Sequence, residues 1–329
     1  MVLLLIKEKS NMKYNPLQIR GLKPVIPIIQ GGMAVRVSTG KLAGAVAKCN
    51  AVGVIGGSGM SVEELKEEIS IARKIAEGKG IIAVNIMVAA HDFLELVQAC
   101  IDEKVELLIA GAGFSMDVFK MTKGTSTAFA PVVSSAKAAK LGLKLGADAI
   151  IVEGKEAGGH LGTDRPIREI LKEVLEVIDG KVPVIGAGGI LHGSDICEIL
   201  KMGADGVQMA TRFVLSDECI VDDKYKQYYL NHSKEDMHVF LSPVGYPGRA
   251  IMTKFLQKVE NKQIGKFPCK HLCLKSCNRR FCIIEALVSA QAGDVDNGIV
   301  FAGERFSEIK DILPVKTIID NLLEEIKNC

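Results

Sequence analysis

The sequence predicts an α/β chain folded as a (β/α)8 TIM barrel, with a smaller cap segment inserted before its C-terminal helices. Three observations predict it. Of eight short apolar runs, most are rich in Val, Ile and Ala and lack polar alternation, as strands covered on both faces do. Amphipathic segments of helical period separate them. Glycines follow directly on several of the runs, where a barrel brings backbone close to a ligand.

In order, the runs are 25–30, 52–56, 81–86, 106–110, 128–133, 149–153, 182–186 and 206–209. Helical segments include 62–76, 167–178, which Pro166 opens, and 194–202. Gly31-Gly32, Gly56-Gly57, Gly111, Gly186 and Gly188-Gly189 stand at strand ends. The pattern breaks after Arg212. Residues 216–280 are more polar and hold most of the His- and Tyr-rich sequence, so they read as a cap over the barrel mouth. Helical stretches near 281–292 and 315–327 close the chain. The expected organisation is a barrel over 1–215, a cap over 216–280, and helices over 281–329 that pack back on the barrel.

A chain of 329 residues, 48% hydrophobic and 24% charged, builds a sizeable core and is not disordered. A net charge of +2 with no Trp argues against nucleic acid or an acidic membrane as partner. The opening stretch 2–6 is too short for a secretory segment, and no apolar run is long enough to span a bilayer. Met12 is a second candidate start, because the patterned sequence begins just after it. The expected location is the cytoplasm. There the nine cysteines are expected mostly as thiols or metal ligands rather than disulfides. Oligomeric state is left open, a homodimer included.

Three Gly-x-Gly pieces fall at strand ends, Gly57-Ser-Gly59, Gly111-Ala-Gly113 and Gly186-Ala-Gly188. A dinucleotide fingerprint needs a small residue three positions further on, where Val62, Met116 and Leu191 stand, so it fails. No Gly-Lys pair precedes Ser or Thr, so a P-loop fails too. Ser58 lacks the last glycine of a nucleophile elbow. The turns after the seventh and eighth strands read better as one phosphate site. Gly186, Gly188, Gly189 and Ala210 offer backbone N–H groups there, and Thr211 adds a hydroxyl. Ordinary strand–helix packing is the alternative use of such glycines.

The most informative segment runs from Glu153 to Gly162 and contains Gly158-Gly159-His160. Two glycines remove bulk beside a flat ring and place the histidine. An imidazole titrates near neutrality and moves protons at working pH. A core or capping histidine is the plainer reading, but a glycine-rich loop at a strand end favours function.

Segments 29–33, 84–87, 153–162, 186–190 and 206–213, with Glu-Ala-Gly-Gly-His as the most specific part, resemble the nitronate monooxygenase family. Flavin-dependent enoyl-acyl-carrier-protein reductases share the same set. The resemblance implies an FMN-binding barrel. It implies that Gly31, Gly32 and Met33 lie against the flavin, that Asn85 hydrogen-bonds it, and that Glu153 holds its polar side chain or orients the loop. It further implies that Gly158 and Gly159 pass the ring, that His160 faces substrate, and that Gly188, Gly189, Ala210 and Thr211 hold the phosphate. Gln208 is either cofactor-facing or structural, because strand residues alternate faces. In the monooxygenase reading a small nitronate or nitroalkane is oxidised with O2, and His160 is base or anion stabiliser. In the reductase reading NAD(P)H is the reductant and an acyl carrier protein presents an enoyl thioester. The continuation Leu161–Pro166 departs from the threonine-rich one of the reductases and favours the first.

A different class, a redox- or metal-sensing protein that keeps a flavin barrel as scaffold, rests on Cys269, Cys273, Cys277 and Cys282, four cysteines in a span short enough to hold zinc or an iron–sulfur cluster. The spacings match neither a zinc ribbon nor a common ferredoxin pattern. On a helix, Cys269, Cys273 and Cys277 would share a face; the alternative is a group of free thiols. In the stretch 242–249, Tyr246 or Arg249 is expected either to reach the barrel mouth or to lie on a surface loop. His232 and His238 are expected to be solvated.

Overall fold

A computed structural model of the chain describes residues 17–265, 267 and 269–329. The stretch 2–6 and Met12 lie outside the described residues. Eight parallel strands close into a barrel: β1 (Ile28–Gln30), β2 (Val52–Gly56), β3 (Ile81–Met87), β4 (Leu107–Gly111), β5 (Ala128–Val133), β6 (Ile150–Glu153), β8 (Val184–Ala187) and β9 (Gly206–Met209). The two-residue strand β7 (Gly159–His160) stands off the barrel. β1 is shorter than the apolar run 25–30 because Pro24 and Pro27 have no N–H to pair.

Side chains alternate between the barrel interior and the helical shell. In β3, Ile81 and Ala83 point inward, while Ile82, Val84 and Ile86 meet the helices. Val52, Val54, Leu107, Ile109, Ala130, Ile151 and Ile185 fill the same interior. Leu17 and Ile19 join it at the bottom, where Arg20 also bonds the Thr127 carbonyl at 3.0 Å.

The shell follows in chain order: α1 (Gly40–Lys48), α2 (Val62–Ala76), α3 (Phe93–Asp102), α4 (Met116–Thr122), α5 (Ala136–Leu145), α6 (Ile167–Ile178), α7 (Gly193–Lys201) and the short α8 (Thr211–Val214). α2 shows why such segments are helical. Ser61 caps it by accepting the Glu64 N–H at 3.1 Å, acids open it, and Arg73 and Lys74 close it. Leu65, Ile69, Ala72 and Ala76 form its buried stripe.

Beyond the barrel come α9 (Asp223–Asn231), an antiparallel hairpin of β10 (Met237–Leu241) and β11 (Pro247–Ile251), and α10 (Lys254–Glu260). β11 also pairs with β12 (Val300–Phe301) and with β7, so the loop after β6 is a strand of the cap sheet. Phe240, Ala250, Leu256, Phe281, Ile283 and Ala286 form the cap's own core. Of the C-terminal helices, α11 (Ile283–Gln291) thus packs in the cap, whereas α12 (Val315–Lys327) packs on α7 and α1.

Residues 269–282 form no helix, so the helical face considered for Cys269, Cys273 and Cys277 does not exist. The backbone pairs instead with the loop after β3, through His91 N–H to the Cys273 carbonyl and Lys275 N–H to the Ala89 carbonyl, both 3.0 Å. Cys197 and Cys329 form a disulfide, an exception to the expectation of mostly thiols, and seven cysteines are free among the described residues. Among the described residues no helix is long and apolar enough to cross a membrane.

Candidate active site

Strand alternation decides what the barrel presents at its C-terminal end. Asn85 continues the inward phase of Ile81 and Ala83, and Glu153 continues that of Ala149 and Ile151. Val207 and Met209 face the helical shell, so Gln208 between them faces inward. These residues, with Gly31, Gly32 and Met33, line one cavity of about 520 Å³ between barrel and cap.

Gly158, Gly159, His160, Gly188, Gly189, Ala210 and Thr211 line it as well. Gly186 does not, which corrects its assignment as a cofactor residue. It lies on the outward phase, and a Cβ there would come within 2.7 Å of Ile199 on α7. Its small size serves strand–helix packing.

His160 is fixed from three sides. β7 pairs with β11 in the register Gly248 with His160 and Arg249 with Gly159. The imidazole Nε2 shares a hydrogen bond with the Ser242 hydroxyl at 2.8 Å. The Phe301 ring meets it edge-on at 5.2 Å between centroids. Burial lowers the imidazole from its ordinary 6.5 to about 4, so it is neutral at pH 7. Burial acts oppositely on Glu153 and raises its carboxyl to about 7. By surface that side chain is only half-buried, because it opens into the cavity, but protein surrounds it there.

At one end of the cavity, Gly188 and Gly189 adopt positive φ of 103° and 68°. Neither they nor Ala210 and Thr211 donate an N–H to a backbone carbonyl among the described residues. The Thr211 hydroxyl accepts the Gly303 N–H at 3.0 Å. Arg305 closes this end, bonded to the Gly189 carbonyl at 2.8 Å and to Asp195 at 2.7 Å. The roof is apolar, with Leu272, Leu274, Ile283, Ile284 and Leu287.

Ser242, Phe301 and Arg305 carried no signal in the sequence, because pairings between distant segments bring Phe301 and Arg305 to the cavity and Ser242 to His160. Tyr246 and Arg249 do not line the cavity. Arg249 instead anchors the loop before β7, donating to the Lys155 carbonyl at 2.7 Å. His232 and His238 also stay outside it, half-buried rather than solvated. Of the four clustered cysteines, Cys273 reaches the cavity wall.

Residues 78–325 match the nitronate monooxygenase family. The chain is 31% identical over 238 residues to the (3aS,4S,5R,7aS)-5-hydroxy-7a-methyl-1-oxo-octahydro-1H-indene-4-carboxyl-CoA dehydrogenase of Mycobacterium tuberculosis. That match covers 71% of this chain and 65% of the dehydrogenase, so the chain spans less than two thirds of that relative's length. A probable nitronate monooxygenase of Staphylococcus aureus is 24% identical, over 91% of this chain and 94% of that protein. Among solved structures, FabK from Thermotoga maritima superposes with a TM-score of 0.82 at 33% identity, covering 92% of this chain and 93% of FabK.

Proposed function

The chain belongs to the nitronate monooxygenase family of FMN-dependent oxidoreductases, and from that premise we propose that it oxidises nitronates with O2 at the cavity wall formed by His160. The observation that carries this reading is a buried, neutral His160 held by Ser242.

The cavity residues fit FMN. Gln208 Oε1 is buried without a partner, as an amide reserved for a ligand donor is. Side chains at Gly31 and Gly32 would fill the floor, since a Cβ would lie 3.2 Å from Gln208 and 2.4 Å from Asn85. The free N–H groups at 188–189 and 210–211 suit a phosphate. In this reading Asn85 and Gln208 would hydrogen-bond the flavin, and Met33, Gly158 and Gly159 would pack against it. Glu153 holds the polar side chain or orients the loop. When bound, FMN supplies the electron-transfer chemistry.

A neutral imidazole donates one hydrogen bond and accepts one. His160 therefore holds an incoming nitronate anion through its N–H, and the cap keeps water from the reacting carbon. With its basicity depressed, His160 is a poor base toward a neutral nitroalkane. Preformed nitronates are expected to turn over faster than the parent nitroalkanes. His160→Ala is expected to keep FMN and lose about 10²–10⁴-fold in kcat. Full activity in that variant would refute the role.

The apolar roof favours a second reading, an acyl thioester substrate, because a small nitronate leaves most of that surface uncovered. NAD(P)H would then be the reductant and an acyl carrier protein or coenzyme A the handle. His160 would stabilise the developing enolate through the same N–H. Reduced enzyme offered an enoyl thioester without oxygen decides between them. Rapid reoxidation moves the assignment to the thioester.

A further inference from the structure

Cys269, Cys273, Cys277 and Cys282 fall in a stretch with no helix or strand. All four are free and half-buried. A run of this length without secondary structure of its own is uncommon in a folded domain and usually functional. One tie is known: 273–275 pairs with 89–91, and Lys275 donates to the Val88 carbonyl at 2.7 Å while lying over the Phe93 ring. Cys273 and Cys277 pack against the same cap core, beside Leu274, Phe281 and Ile283, and Cys273 lines the cavity. Cys269, Cys277 and Cys282 all lie near enough to the Cys273 thiol to interact with it electrostatically. Cys269 acts on Cys282 in the same way. The four sulfurs therefore form one neighbourhood.

Their spacing selects the occupant. Tetrahedral zinc, with Zn–S bonds of about 2.3 Å, draws its sulfurs to about 3.8 Å from one another. Among the described residues no three of these thiols lie mutually within 4.8 Å; the trio that does is His271, Cys282 and Glu285. Of that trio, His271 and Glu285 already pair with each other at 3.1 Å on the surface. A cubane cluster keeps its cysteine sulfurs farther apart, because four irons stand between them. The Arg279 N–H already points at Cys277 Sγ, at 3.4 Å, the kind of bond that stabilises cluster sulfurs.

We propose that Cys269, Cys273, Cys277 and Cys282 bind a [4Fe–4S] cluster in the cavity roof. This places a one-electron centre in the wall of the cavity through Cys273. It does not depend on which substrate the cavity takes, nor on FMN being the flavin.

The test is iron and acid-labile sulfide in the full chain, purified without oxygen and then offered ferrous iron and sulfide. About four of each per chain are expected, with a low-temperature paramagnetic resonance signal after dithionite reduction. Cys273→Ala and Cys282→Ala are expected to lower iron at least tenfold, while Cys49→Ala, a free thiol elsewhere, keeps it. If an alanine variant fails to fold, the wild-type metal content still decides. Less than about one iron per chain after reconstitution overturns the proposal. So does zinc without iron, which would point to His271, Cys282 and Glu285 instead. Iron that survives both cluster substitutions overturns it as well.

Discussion

The two walls of the cavity are built in opposite ways. The barrel wall comes from strand ends, with Asn85, Glu153 and Gln208 set inward by alternation and glycines keeping the floor low. The cap wall comes from loops and short elements, and its roof is apolar, while Ser242 stands behind His160. Rigid strands suit a group whose position must not vary, and loops on that scaffold suit a substrate that differs between relatives. His160 belongs to both walls, since it leaves the barrel after β6 and ends as a strand of the cap sheet.

The seam between the walls is where the comparison breaks most easily. A Cβ at Gly158 would lie 2.6 Å from the Ala302 carbonyl carbon and 2.7 Å from Gly303 N, both in one backbone peptide that cannot move aside like a side chain. Gly158→Ala is expected to destabilise by about 3 kcal/mol or more and to lose flavin. Gly159 has φ of 80° and open space around it, so Gly159→Ala is expected to cost only ~1 kcal/mol in strain. Thermal melts of the two variants test this. Equal melting temperatures would mean that the seam does not hold the walls together.

A smaller effect separates the two titrating groups. The folded-state pKa of Glu153 lies above its ordinary 4.5, so its contribution to stability is present at low pH and is lost as pH rises toward 7. His160 is depressed from 6.5 to about 4, so its contribution is present above 6.5 and is lost as pH falls toward 4. The slopes oppose each other between these limits, and flavin-free wild type is expected to be nearly flat there. Glu153→Gln should leave stability rising with pH, and His160→Phe should leave it falling. Each slope amounts to no more than about 3 kcal/mol, less where cavity water screens Glu153. Denaturant melts across this range check the signs, and like slopes in both variants would sink the reading.

The barrel wall was legible in the sequence for the same reason that it is rigid. Strands 52–56, 128–133 and 206–209 and helices 62–76, 167–178 and 315–327 keep the bounds their patterns predict. Gly186 was misread because a glycine-rich turn looks uniform along the chain, whereas alternation sends Gly186 outward and leaves Gly188 at the cavity. The cap wall was legible only as a polar insertion. Ser242 reaches His160 across the Gly248–His160 register, and no local pattern encodes a pairing between segments so far apart. The helical face that Cys269, Cys273 and Cys277 would share is absent, because pairing with 89–91 holds the stretch open.

Ser242 offers the finest test of how the cap acts on the barrel's histidine. It is fully buried, and its hydroxyl bonds His160 Nε2 at 2.8 Å and accepts the Val244 N–H at 3.4 Å. Ser242→Ala removes no group that a flavin or substrate is expected to touch. It leaves the imidazole buried with one nitrogen unpaired and the ring free to turn. A lost neutral hydrogen bond of about 1 kcal/mol predicts a kcat roughly five- to tenfold lower, with flavin content and KM unchanged. Ser242→Thr keeps the hydroxyl and should recover most of the loss. If Ser242→Ala keeps wild-type kcat, His160 is oriented by its own loop and by Phe301, and the cap does no more than cover the site.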